Sequence, residues 1–543
     1  MCIDKTASII IKSSNIFTAE TLETRSGAVV ISGDSIVDVI SDEQIPEFTG
    51  PSTEVIDAGQ RLVMPAFNDA HTHFITVGLN MDTDYTLDVG DCKCEDEVVQ
   101  KVKAFADAHP HNAWVHCIGW NPDSWDKMPT KASLDKILPD RPCHIGSWDL
   151  HSCWANSKAL ELAGFTDGME SPAGSEICQD ENGALTGILK EDIVNEIRGR
   201  SVAGADMNRA LGMVCEQALS YGISSVAAMW PNYGLADEQI LRIFKEAESS
   251  GNLPIRVHYY PKLEHGLDTA RKFEKMAASD FFRFAGVKLV IDGVSEMHTA
   301  YLTEPYADDA STCGELTVKE DEVLELVSQA NSHNYSVRLH AIGNATVKTA
   351  LNVYEAVEQK YGRKSLPNAI EHIESCCPED LPRFAQLGVI ASMQPIHSVL
   401  NVDGYPALLG EKWRPYMWPV ASLLKHHSML AFGTDAPVYD LNPMHGLYAA
   451  ITRKQPWDGY PKDGFVPEQR ISLAQALQAY TYGSAVVESF SERLGTLHAG
   501  KLADIVIMDR DLFAAKPEEL LEAKPAYTIV GGTILYHNPE SGI

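Results

Sequence analysis

The segment Asp69-Ala70-His71-Thr72-His73 has the residue types and spacing that point most directly to chemistry. In an extended segment residues i and i+2 point the same way, so His71 and His73 present two imidazoles to one point. Neutral imidazole suits zinc and other borderline first-row divalent ions. The pair closely follows a strand-like run ending Val63-Met64-Pro65. Later runs end in the same kind of residue. Ser336–Leu339 ends at His340, Asn368–Glu371 ends at His372, and Met429–Phe432 runs into Gly433-Thr434-Asp435. Lys288 sits inside the otherwise apolar run Gly286–Ile291. An unpaired lysine in a protein interior is costly, so either an acid partners it or it is changed chemically. A single buried histidine is an ordinary hydrogen-bonded core residue. Histidines and an acid at successive strand ends are hard to explain that way.

The elements that must position these residues have two textures. In the middle of the chain, apolar runs occur at Leu62–Pro65, Ile223–Ala228, Ile255–Tyr259, Gly286–Ile291, Ser336–Leu339, Asn368–Ile370, Val389–Met393 and Met429–Phe432. Most are separated by segments of helical periodicity, such as Glu320–Ser332 and Thr346–Tyr361. Strands alternating with helices in this number predict an α/β chain with a (β/α)8 TIM barrel, whose active site lies at the C-terminal strand ends. The gap between the first and second runs is too long for one βα unit. Residues 77–205, approximately, are therefore expected as an insertion over the barrel mouth. Both ends of the chain carry short β-branched runs between glycines. They are expected to pair as a composite β-sandwich of residues 1–62 and 487–543 around a barrel domain of residues 63–486.

The balance of 44 basic against 75 acidic residues gives a net charge of −31. Such a surface repels phosphate backbones, which excludes nucleic acid as a partner. No apolar run is long enough to span a membrane, and the N-terminus lacks the pattern of a signal peptide. A cytoplasmic protein is expected. The eleven cysteines are scattered and have no zinc-finger spacing, so reduced thiols are expected.

With these residues in view, the chain resembles the amidohydrolase superfamily. It is most similar to the amidohydrolase-3 (YtcJ-like) branch, which includes N-substituted formamide deformylases. The resemblance runs nearly end to end. It rests on Met64–His73, Gly119-Trp120-Asn121, His151–Ser157, Gly187–Glu191, Lys288 with Asp292-Gly293, and His340-Ala341-Ile342-Gly343. Glu371-His372, Gln394-Pro395, Thr434–Val438 and Gly495–Asp504 complete it. It implies that His71, His73 and Asp435 hold one Zn2+ or similar ion, and that His340 and His372 hold a second. Lys288, carboxylated by CO2, would bridge the two. The chain departs from the family at Asn344, where aspartate is common, and at Val294–His298. The second segment warns against carrying over a relative's substrate.

The expected activity is hydrolysis of carbon–nitrogen bonds other than peptide bonds, in an amide, formamide or cyclic amide. An ion of this kind lowers the pKa of bound water to about 7. Asp435 is the expected acid–base catalyst, and His151 a donor to the oxyanion. Trp120, Trp154, Glu191 and His298 are candidates for the substrate pocket. Competing readings are a deaminase or dechlorinase acting on an N-heterocycle, and a non-hydrolytic metal-binding barrel with an isomerase or regulatory role. The expected partner is a small molecule. A homodimer stays open, because large barrels often associate although no stretch here marks an interface.

Overall fold

A computed structural model describes residues 6–121, 125, 127–148, 150–172, 174–231, 234–363 and 365–543. The chain divides into two compact units. Met1–Thr72, Cys215–Met229 and Glu248–Ile543 form the first, and His73–Val214 with Trp230–Ala247 the second. The expected insertion at 77–205 compares with this second unit, which starts earlier, ends later and takes in 230–247 as well.

Parallel strands carry the candidate site in the first unit. In chain order they are β1 (Phe67–Thr72), β2 (Ile223–Met229), β3 (Arg256–Tyr260), β4 (Phe282–Phe284), β5 (Val287–Val290), β6 (Val337–Ala341), β7 (Ala369–His372), β8 (Ile390–Met393) and β9 (Leu430–Phe432). Strands β1 to β4 form one sheet in the order β4-β3-β2-β1, and β5 to β9 form a second in sequence order. A single closed eight-stranded ladder is the expectation; the ladders among the described residues hold four and five strands. At one seam a lone parallel bridge joins Lys262 to Lys288. Lys288 N donates to Pro261 O at 2.9 Å there, and Leu263 N to Lys288 O at 2.7 Å. At the other seam a side chain adds to a backbone bond, which Asp435 N donates to His71 O at 2.7 Å. The Asp69 carboxylate accepts from Thr434 N at 3.0 Å and from the Thr434 hydroxyl at 2.5 Å. Gly433 is required at this seam, since a Cβ there would lie 2.4 Å from His71 N.

By its apolar pattern Leu62–Pro65 is expected as the first barrel strand, and the structure corrects this. Leu62–Pro65 pairs with Ile9–Phe17 and with Ile505–Met508 in the sheet of the two termini. It reads as a continuous apolar run because it is buried there throughout. The first parallel strand is Phe67–Thr72, which also is fully buried but is mostly polar. The terminal sheet runs Thr533–His537, Pro525–Val530, Ile505–Met508, Leu62–Pro65, Ile9–Phe17, Thr24–Ser32, Ser35–Ile40, with Glu54–Asp57 beside Ile9–Phe17. Alternate residues feed two cores, Ile9, Ile11, Val29 and Ile31 in one and Ile10, Ala28 and Val30 in the other. A bidentate pair ties this sheet to β3, with Arg256 Nε and Nη2 each 2.9 Å from the Asp504 carboxylate.

The parallel strands reverse the usual distribution of polarity. On one face of β5 to β8 lie Lys288, Arg338, His340, Glu371 and Ser392, which the register aligns; Leu289, Leu339, Ile370 and Ala391 alternate with them on the other. The polar face is buried, so each group needs a partner. Glu488 shows what that does to an acid. It accepts from Asn68 Nδ2 at 2.5 Å and is fully buried, and burial pushes its pKa up to about 8. A carboxyl whose folded pKa is raised contributes stability that is complete below its unfolded pKa and lost as pH rises through the folded value. Glu488 is therefore expected to cost the fold roughly 3–5 kcal/mol between pH 5 and pH 9. Denaturant titrations of the wild type and Glu488→Gln across that range check this. The variant should lose much less stability as pH rises, and parallel curves would refute the assignment.

The second unit is built on a six-stranded sheet, ordered Ser175–Gln179, Leu185–Glu191, Ser152–Ala155, Cys143–Ser147, Val115–Trp120, Thr86–Asp88. Helix Glu95–Ala108 places Val98, Val102 and Phe105 into its core with Val115, Cys117 and Ile145. The described cysteines of both units are free thiols. Among the described residues no helix is long and apolar enough to cross a membrane.

Candidate metal centre

Neighbouring strands of the first unit deliver residues to a common point. Register places Val290 beside His340, His340 beside Glu371, and Ala341 beside His372. Adjacent residues of a strand face opposite ways, yet Glu371 and His372 both reach His71. The backbone explains this, because His372 has φ +75° and ends the extended run. Asp435 also holds a positive φ, +57°. Such conformations cost of order 1–3 kcal/mol each and cluster at functional sites.

The rings of His71 and His372 are 5.0 Å apart, and those of His372 and His340 4.4 Å. Asp435 faces two of them. Its Oδ1 lies 3.4 Å from His71 Nε2 and its Oδ2 3.8 Å from His372 Nδ1. Burial keeps the His71 and His372 imidazoles neutral, the form that binds metal. It lowers His71 to about 4, with the Lys288 charge adding to the effect, and it lowers His372 well below the ordinary value, with His340 adding.

Each of the four histidines expected as metal ligands has one ring nitrogen committed to an oxygen. His71 Nδ1 lies 2.6 Å from Glu371 Oε2 and His372 Nδ1 2.9 Å from Gln394 Oε1. His340 Nε2 lies 3.4 Å from Gly293 O. His73 opens the second unit, where its Nδ1 lies 2.8 Å from Pro231 O. Carbonyl and carboxylate oxygens only accept, so these nitrogens donate. The other nitrogen of each ring keeps its lone pair for a ligand. Glu371 can do this because it stays ionised. Burial pushes its pKa up, but Arg338, His71 and Lys288 outweigh that and hold it well below the usual carboxylate range. Arg338 Nε donates to Glu371 Oε1 at 2.6 Å, and its Nη2 donates to Ala70 O at 2.8 Å.

Lys288 is 1 % exposed, and among the described residues its Nζ has no hydrogen-bond partner. Burial pushes its pKa down to about 8, against the attraction of Glu371 and Asp435. A buried amine with no partner, among neutral imidazoles and carboxylates, fits a site built for cations and a bridging anion.

A model of the amidohydrolase family matches residues 54–536. The chain belongs to the amidohydrolase family. This amidohydrolase is 29 % identical to the protein LONG AFTER FAR-RED 3 of Arabidopsis thaliana, over 98 % of this chain and 92 % of that one. It is 27 % identical to the putative amidohydrolase YtcJ of Bacillus subtilis, over 94 % and 96 % of the two chains. It is 23 % identical to the N-substituted formamide deformylase of Arthrobacter pascens, over 98 % and 99 %. Among solved structures, an uncharacterized metal-dependent hydrolase of Pyrococcus horikoshii superposes with a TM-score of 0.74 at 27 % identity, over 94 % of this chain and 99 % of the other. The zinc complex of atrazine chlorohydrolase from Arthrobacter aurescens shares the fold, with a TM-score of 0.54 at 16 % identity over 98 % and 95 % of the chains.

The other residues singled out from the sequence have partners of their own. His151 and Glu191 pair in the second unit, with His151 Nδ1 2.7 Å from Glu191 Oε2. Glu191 has φ +61°. Trp120 and Trp154 belong to the core of that unit's sheet, and the Trp154 indole donates to Thr130 O at 3.0 Å. His298, in the divergent segment, lies 3.0 Å from Asp308 Oδ1 and is partly exposed. Asn344 accepts from Thr303 N at 2.8 Å. Beside it Asp292 accepts from Ile342 N, Gly343 N, Tyr301 N and the Thr346 hydroxyl, so it clamps the turn after His340.

One histidine at the site is not among those singled out from the sequence. His397 lies in the 3-10 turn Pro395–Val399 after β8 and is 7 % exposed. A ring nitrogen of His397, one of His372 and a carboxylate oxygen of Asp435 all lie within 4.8 Å of one another. The only sequence signal for it is its place two residues after Gln394-Pro395.

Proposed function

We propose that this chain hydrolyses the C–N bond of a small-molecule amide, formamide or cyclic amide with the help of one or two divalent ions. The observation that carries the reading is Asp435, whose two oxygens face two buried, neutral imidazoles of fixed tautomer. His71, His340, His372 and Asp435 offer the donor atoms. His73 joins them through its His-x-His spacing, and zinc is the first candidate. A bound ion of this class supplies a water of lowered pKa and a polarised carbonyl. The chain's own residues supply the rest. Asp435 takes the proton of the attacking water at its carboxylate and passes it to the leaving nitrogen. Glu371 and Gln394 hold the His71 and His372 rings in their ligating tautomers. The Lys288 amine would add to CO2, forming an N–C bond and releasing one proton, and the resulting carbamate would offer bound ions an anionic ligand.

The match to a deformylase of N-substituted formamides makes that substrate class the first to try. Protein stripped by a chelator and reloaded with zinc is expected to release formate and an amine from N-alkyl or N-aryl formamides, or an acid from amides and cyclic imides. The stripped protein should be inactive. Ammonia from an N-heterocycle would move the reading to a deaminase, and no turnover on any of these compounds would overturn it.

A further inference from the structure

From the sequence, His151 is the expected donor to the oxyanion; the geometry of the first unit offers another group. His397 sits beside the proposed ligands but differs from them in one respect. Each ligand histidine has a ring nitrogen committed to an oxygen acceptor. Among the described residues the His397 ring has no such acceptor, and its Nε2 is buried without a hydrogen-bond partner. A buried imidazole with an unused nitrogen beside a reaction centre is either wasted or awaits a group that arrives with the substrate.

The turn that carries the ring is held in place. The His397 and His372 rings are parallel within 4° at a centroid distance of 6.4 Å. The Tyr405 hydroxyl donates to His397 O at 3.1 Å, and the Ser398 hydroxyl to Pro395 O at 2.7 Å. The turn starts at Gln394, the residue that orients His372. One turn therefore orients the His372 ring through Gln394 and anchors the backbone that carries His397, and preorganisation of this kind is what an electrostatic catalyst needs. A role as a further ligand fits less well, because catalytic sites of this kind keep one position open for water or substrate.

We propose that His397 is a catalytic residue whose neutral Nε2–H donates a hydrogen bond to the substrate's carbonyl oxygen as that oxygen gains negative charge. No proton is transferred, so the role needs no change in protonation. The inference rests on the hydrolase reading above. It is tested on zinc-loaded wild type, His397→Ala and His397→Gln with an N-aryl formamide that the wild type cleaves. Glutamine keeps a neutral N–H donor at a similar reach. The alanine variant is expected to lose about 10²–10³-fold in kcat with KM changed less than about threefold. Glutamine should recover at least about tenfold of that loss. Zinc content and zinc affinity of both variants should match the wild type. A clear loss of zinc in either variant would make His397 a ligand and overturn the proposal. Unchanged kcat in the alanine variant, or no recovery by glutamine in a folded, zinc-loaded protein, would overturn it too. These outcomes leave the hydrolase reading intact. A wild type that cleaves nothing sinks that reading, and this proposal with it.

Discussion

Lys288→Ala is expected to lose metal and activity together, with turnover down by about 10³-fold or more, given the several kcal/mol that a metal site contributes to catalysis. The lysine lies within a strand of the polar interior, fully enclosed, and among the described residues its amine has no hydrogen-bond partner. Among the described residues an ammonium in that position has no compensating partner at contact distance, whereas a carbamate has two oxygens to offer cations. The alanine leaves a space of roughly the side chain's own volume. Short carboxylic acids such as formate, acetate and propionate should enter it and restore part of both metal content and rate. Elemental analysis and initial rates, with and without added acid, measure this. A variant with full metal content and wild-type turnover would end the bridged two-ion scheme and leave a simpler one-ion site.

Asp435→Asn is expected to lower kcat by about 10²–10⁴-fold while the fold survives. Asparagine has nearly the same shape, and it tolerates the left-handed backbone that Asp435 adopts better than most residues do. The bond from Asp435 N to His71 O, 2.7 Å long, involves only backbone and is retained. What is lost is a group that accepts and returns a proton. The thermal midpoint should therefore stay close to that of the wild type while turnover collapses. Rates near wild type would refute the acid–base role.

Much of the site is legible in the sequence, because metal chemistry restricts residue types. His71, His340, His372 and Asp435 end strands, and Lys288 is the one charged residue in an apolar run. The strands β2, β3 and β5 to β9 are legible for a related reason, since their outward faces need apolar side chains. Phe67–Thr72 is not legible. Its Asn68, Asp69 and His71 are satisfied by Glu488, Thr434 and Glu371, partners hundreds of residues away that no local pattern reveals. The same distance hides Arg338 and Glu371 as the pair that orients His71. His397 escapes because a 3-10 turn has no periodicity to mark which side chain points inward. Trp120 and Trp154, expected near the substrate because they are large and sit in a family motif, are buried in the core of a sheet.

The pairing of Leu62–Pro65 with Ile505–Met508 also sets an order of events during synthesis. The strand that launches β1 has its antiparallel partner on one side only in the last stretch of the chain. A ribosome must therefore release the chain through Met508 before that edge can close, and the interval leaves an apolar strand without its neighbour. Contacts of such sequence separation form slowly and expose the nascent chain to association meanwhile. Shortening the C-terminus before Ile505 should for the same reason yield insoluble protein, however intact the site residues remain.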